Sequence, residues 1–170
     1  MTQLLRPGED EVAAHYAAKT IENVASGTGE WPTRVSTVEM ATNLASLYST
    51  CRSEQLRATV AGALARVLRQ RRGLAAGVMR HSGGAKLLAR GVADPQGRAS
   101  QAMASIACVA LMDTSSGEAG RPAIVLTVTE ERLLLPPLLA CLEQSAVVLR
   151  GKACLALLLL VSRSPRALRQ

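Results

Sequence analysis

The chain has no phenylalanine, one tryptophan (Trp31) and two tyrosines (Tyr16, Tyr48) in 170 residues. Sheets and sandwiches lean on aromatic and β-branched side chains, so this scarcity argues for closely packed helices. Lysine occurs only at 19, 86 and 152, so arginine carries most of the net charge of +7. Histidine stands only at 15 and 81, and the cysteines at 51, 108, 141 and 154 form no CxxC pair. That spacing speaks against a zinc site. Cys108, Cys141 and Cys154 lie in apolar helical runs, where a buried, reduced thiol is expected, and a reducing compartment fits. Long apolar runs are also missing. The longest, Ala153 to Val161, has nine residues, against the ~20 that span a bilayer. The opening MTQLLRPGEDEV lacks the pattern of a signal peptide, so a soluble, intracellular chain with no membrane partner is expected.

What the chain does have is enough apolar content for a core. Its hydrophobic fraction is 48% and its mean hydropathy +0.16, which speaks against disorder. Four helix-like segments repeat one feature, a small or β-branched residue followed four places later by an aliphatic one. They are Ala17/Ile21, Val60/Leu64, Ala102/Ile106 and Ala153/Leu157, at intervals of 43, 42 and 51 residues. A period of ~40–47 residues marks stacked helical repeats of the armadillo/HEAT type, in which each unit buries its apolar face against its neighbours. The fold expected is all-α: a right-handed superhelical solenoid of about four repeats. Its units would be residues 1–30, 31–72, 73–115 and 116–170 of a single domain.

Start and stop signals place the helices. Pro7-Gly8 precedes the first, Glu9 to Glu11 favour its dipole, and Ser26-Gly27-Thr28-Gly29 stop it. Ser36 or Thr37 would cap a helix carrying Val38, Ala41, Leu44, Ala45 and Tyr48 on one face. Glu54 to Arg69 is its partner. Leu74 to Met79, Ala85 to Val92 and Gln96 to Met112 read as further helices, and Asp113 to Arg121 as a loop. Ile124 to Val128 is β-branched but reads as helix or irregular turn in this context. Thr129 to Glu143 is helical with Pro136-Pro137 bending or splitting it. Ser145 to Val161 is the last helix, ended by Ser164-Pro165.

Ser82-Gly83-Gly84-Ala85-Lys86-Leu87-Leu88, followed by Asp94-Pro95 and a long helix, is similar to the armadillo second-helix, turn and third-helix pattern. HYAAKTIENVAS (15–26) and LLPPLLACLEQSAVVLRGKACLALLLLVSRSP (134–165) resemble the C-terminal repeat region of the Unc-51-like kinase four family, also called Runkel and related to Fused. The kinase domain of that family has no counterpart here: there is no glycine-rich loop, VAIK-type lysine, HRD or DFG. The resemblance implies a microtubule-associated scaffold, with a Fused-like kinase or a kinesin as partners in motile cilia, or a role in cell division in plants; tubulin is a further candidate partner through the basic residues described below. The resemblance also implies the cytoskeleton as location, and the motile-cilium axoneme (central apparatus) within it.

Several side chains stand out as surface candidates. Peptide-gripping armadillo proteins carry a Trp/Asn ladder. Here the Asn position falls on Asn23, Arg66, Cys108 and Leu159, and the Trp position on Lys19, Gly62, Ala104 and Leu155, so only Asn23 matches. Arg66, Arg69 and Arg72 at i, i+3, i+6 would line one helical ridge, with Arg57 and Arg71 nearby. The ordinary reading is a solvated face; the functional one is a strip for an acidic protein. Nucleic acid is disfavoured, since aromatic stacking platforms are almost absent, although a duplex-phosphate binder stays open. Trp31 beside a Gly-rich loop is either a cap over the core edge or an anchor for a partner. Leu155, Leu158 and Leu159 sit in a run that is apolar on all sides and should be covered by another protein or another copy. His15 with Glu11 reads as a surface i, i+4 pair.

These features together lead to a non-catalytic scaffold in a microtubule-based assembly, with no cofactor, metal or small-molecule substrate expected. The alternative is a cytosolic or nuclear adaptor that binds an acidic partner or nucleic acid through its basic surface.

Overall fold

A computed structural model describes residues 5, 10–71, 73–80, 83–94, 98–112 and 126–163. All regular structure among them is helical. The elements are α1 (Glu11–Ser26), α2 (Trp31–Val35), α3 (Val38–Thr50), α4 (Glu54–Gln70), α5 (Leu74–Arg80), α6 (Gly84–Val92), α7 (Arg98–Met112), α8 (Val128–Ala140) and α9 (Val147–Arg163). A single tight turn, Cys141–Glu143, follows α8.

Helix starts follow side-chain caps. Asp10 accepts from Val12 and Ala13 N–H, Thr37 from Met40 N–H and Ser53 from Leu56 N–H. Thr127 and Glu130 form a reciprocal capping box at α8. Each cap satisfies backbone donors that the first helical turn leaves open. Gly73 (φ 85°) and Gly83 (φ 98°) take left-handed turns before α5 and α6, a conformation that glycine adopts without a Cβ clash. Pro136 and Pro137 lie inside α8, which continues to Ala140 before the tight turn. The pair therefore does not split the helix; it frees the carbonyls four residues earlier, on exposed Arg132 and Leu133, where solvent can satisfy them. The expected loop 113–121 and the stop at Ser164-Pro165 lie outside the described residues. So do the first residues of the 124–128 segment. Leu126 and Thr127 are non-helical, and α8 starts at Val128.

The chain forms two compact units, Met1–Val78 and Met79–Gln170. In the first, α1 packs chiefly on α4, and α3 also packs on α4. Ala14, Ala17, Ala18, Ile21 and Ala25 of α1 are buried, as are Leu44 and Leu47 of α3 and Val60, Leu64 and Leu68 of α4. The alanines let helix axes approach closely while the branched side chains fill the layer. In the second unit α7 packs on α9, and α6 joins α7 and α8. Met103, Ile106, Leu134, Leu138, Ala153, Ala156 and Leu160 are buried there. Each unit thus brings together two of the four helices that share the repeated motif.

Candidate interaction surfaces

The pairing of α1 with α4 is tied at three heights. Glu11 Oε1 accepts the Arg52 N–H at 2.9 Å, just ahead of α4. Glu22 lies against Gly62, where a Cβ would sit 2.8 Å from Glu22 Oε1. The Gln70 amide donates to the Ala25 carbonyl at 2.7 Å. These contacts climb both helices in the same sense, so α1 and α4 run parallel. Parallel neighbours need a crossover between them, supplied here by α2 and α3. In the second unit α7 and α9 meet through Lys152 Nζ donating to the Gln101 carbonyl (3.4 Å) and Cys108 Sγ donating to the Lys152 carbonyl (3.3 Å).

Glu11 is therefore not the partner of His15. Its carboxylate turns to a backbone donor 41 positions on, while the His15 ring packs edge-on to Tyr16 at 5.8 Å. Asn23 is exposed on α1. Arg66 and Arg69 are exposed on α4, but the expected three-residue ridge is shorter than its spacing suggests. The helix ends at Gln70, and Arg71 takes an extended conformation (φ −137°) and donates to the Ser36 carbonyl at 3.5 Å. Arg72 lies outside the described residues. Arg57 is half-buried, with its guanidinium donating to the Cys51 carbonyl at 3.5 Å, so it braces a loop.

Trp31 is 65% exposed and does not cap the core. The residue that inserts there is its neighbour Pro32, which is buried. The Arg34 guanidinium lies 5.5 Å from the Trp31 ring centre and bonds Glu30 at 2.8 Å, a stacked, exposed cation–π pair. On α9, Leu155 is 41% and Leu158 64% exposed, Leu159 is half-buried, and Ala153, Ala156 and Leu160 are buried. The helix is thus covered on one side only.

Of the cysteines, Cys51, Cys108 and Cys141 are buried, and Cys154 is exposed rather than inside the core. Burial pushes the three buried thiols above their ordinary value of 9.0; Arg57 beside Cys51 and Lys152 beside Cys108 partly oppose the rise. They stay protonated and unreactive at neutral pH. Glu131 is buried in line with Leu134 and Leu138, and its Oε2 has no hydrogen-bond partner. It stands in the first turn of α8. Among the described residues there is no group of three or more His, Cys, Asp or Glu that could hold a metal ion. No described helix is long and apolar enough to cross a membrane.

The sequence reading missed the exposed apolar residues Val12 (62%) and Tyr16 (69%) on α1, and Val147 (70%) and Val148 (56%) on α9. Part of the signal was present, because Val12 and Val148 each stand five places before their repeat anchors, Ala17 and Ala153.

Comparison with known proteins supports a relationship over nearly the whole chain. It is 32% identical over 168 residues, 98% of its length, to the serine/threonine-protein kinase RUNKEL of Arabidopsis thaliana. The match spans 12% of RUNKEL, so it relates this chain to one region of that kinase. No protein-family model matches the chain. In three dimensions it resembles the crystal structure of an engineered protein with a TM-score of 0.72 at 14% identity. That likeness covers 99% of this chain and 64% of the other, and it concerns the fold alone.

Proposed function

We propose that this chain is a non-catalytic protein-interaction scaffold, an armadillo/HEAT-type right-handed solenoid of about four repeats. It works within a microtubule-based assembly, in the axoneme of a motile cilium. The observation that carries the scaffold reading is the parallel pairing of α1 with α4. Its anchors lie 43 residues apart, so one repeat unit returns the chain to the same direction and leaves helix faces free for partners. Relationship to a region of RUNKEL, together with the absence of nucleotide-binding motifs, supports a role apart from phosphoryl transfer. The microtubule setting follows from the family resemblance. Exposed Arg66 and Arg69 on α4 suit an acidic protein surface such as the tubulin tails.

Co-pelleting with polymerised tubulin tests this directly, alongside affinity purification from the source cells. The wild-type chain should pellet with microtubules, and Arg66→Glu with Arg69→Glu should weaken the association several-fold. Steeply salt-dependent binding to duplex DNA or RNA, with no affinity for tubulin, would replace this reading with the adaptor alternative.

A further inference from the structure

The short helix α2 is fixed through buried groups. Pro32, next to exposed Trp31, is buried, and so is Ser36, whose hydroxyl donates to the Pro32 carbonyl at 2.7 Å. Just past α4, the Arg71 guanidinium donates to the Ser36 carbonyl at 3.5 Å. Two hydrogen bonds thus lead from Arg71 through Ser36 to the residue beside Trp31. An indole carried on so anchored a turn is already in position, which lowers the ordering cost of a contact made there.

The charges around that indole are mostly basic. The Arg34 guanidinium lies 5.5 Å from the ring centre, and the ring remains 65% exposed, so part of it is open beside the guanidinium. Arg34 bonds the Glu30 carboxylate through Nη2 at 2.8 Å, one corner of a five-donor fork. That contact shows where an acid sits on this pair. As an exposed i, i+4 partner Glu30 contributes little and can be exchanged for another carboxylate. Arg71 is exposed as well. Residues 27–39 and 66–71 contain four arginines and two glutamates, Glu30 and Glu39, so basic charge exceeds acidic by two.

We propose that Trp31, Arg34 and Arg71 dock an extended acidic segment of a partner protein, an inference that rests on the scaffold reading. Carboxylates of the segment bond the two guanidiniums, whose planar forks suit them. Its chain crosses the open part of the indole, which keeps water from those bonds; binding energy concentrates at tryptophan and arginine placed in this way. A single-stranded nucleic acid would need successive stacking platforms. Here Trp31 is the one tryptophan, phenylalanine is absent, Tyr48 is buried and Tyr16 lies in the first half of α1.

Because Trp31 is the single indole of the chain, its fluorescence reports this point and no other. Titrating the full chain with an oligoglutamate peptide at low salt should move the emission to shorter wavelength as water leaves the ring, and added salt should reverse the shift. Arg34→Glu and Arg71→Glu should each raise the peptide concentration required by about tenfold. Trp31→Ala should weaken the binding measured by calorimetry to a similar degree. All three positions are exposed, so the helical circular-dichroism signal should stay the same. Arg150→Glu, on exposed α9 surface, alters the net charge as much as Arg34→Glu does and should leave the titration unchanged. Binding of peptide or microtubules with no change in Trp31 emission would overturn the docking point and leave the scaffold reading in place. An emission shift without microtubule co-pelleting would uphold the docking point and remove the microtubule setting. Equal weakening by Arg150→Glu, or tighter binding of a single-stranded oligonucleotide than of the peptide, would overturn the inference.

Discussion

In the first unit α1 meets α4 through carboxylates and an amide that reach backbone groups and a glycine, and α4 keeps Arg66 and Arg69 exposed, Arg66 one turn from both Gly62 and Gln70. In the second unit α7 meets α9 through a lysine and a thiol, and α9 leaves Val147, Val148 and Leu158 on its open side. The two helix pairs share one repeat grammar and differ in what the outer helix shows to its surroundings. A helix with arginines facing outward is finished as a surface. One with valine and leucine facing outward still exposes apolar area that association can bury.

The largest way to break this contrast is to truncate a leucine on each side of it. Leu64→Ala, at a fully buried site on α4, should cost about 3 kcal/mol in urea unfolding. Leu158→Ala on the open flank of α9 should cost less than about 0.5 kcal/mol in the monomer. An equal cost at both sites would mean that α9 is covered.

Alkaline pH should separate the units next. The folded-state thiols of Cys51, Cys108 and Cys141 lie above their ordinary 9.0, so the unfolded chain releases protons first and stability falls as pH rises past that value. With two of these thiols against one, the second unit should lose protection in hydrogen exchange sooner. Replacing Cys108 and Cys141 by alanine should flatten that loss.

Glu11→Ala removes the acceptor for Arg52 N–H and should cost about 1 kcal/mol, read as a lower thermal midpoint. Glu11→Gln should keep most of it, since the amide oxygen still accepts. The glycines give a smaller, signed comparison. Gly151→Ala meets open space and should stabilise the monomer by about 0.5–1 kcal/mol. Gly62→Ala must displace the Glu22 carboxylate and should gain less. The smallest effect belongs to the exposed Lys19–Glu22 pair at 2.7 Å. Lys19→Ala should change stability by less than about 0.5 kcal/mol, vanishing in high salt.

Much of the helical layout was legible. Thr37 was readable as a cap because a β-branched hydroxyl ahead of an amphipathic run can satisfy a backbone donor locally. Of the face read from Val38, Ala41, Leu44, Ala45 and Tyr48, Ala41, Leu44 and Tyr48 are buried and Ala45 is half-buried, whereas Val38 is 63% exposed in the first turn and Met40 and Leu47 are buried in its stead. Side-chain partners were less readable. Arg71 stood beside a helical ridge by number, yet the helix ends at Gln70 and Arg71, extended, reaches the Ser36 carbonyl. Glu11 matched His15 by spacing, yet an unpaired backbone N–H brought close by folding took the carboxylate instead. Trp31 read either as a cap over the core edge or as an anchor for a partner; it is exposed, and the smaller Pro32 is the buried residue.

By itself the sequence determined that the chain is helical, where most helices begin and end, and that four of them share one motif. Those properties depend on local caps, glycine turns and the period of apolar side chains, all short-range in the chain. Only the tertiary structure decided that α1 and α4 lie parallel, that α7 meets α9, that Arg57 braces a loop and that one flank of α9 stays open. Those outcomes depend on which surfaces meet across some forty residues, and packing, not spacing, selects among them.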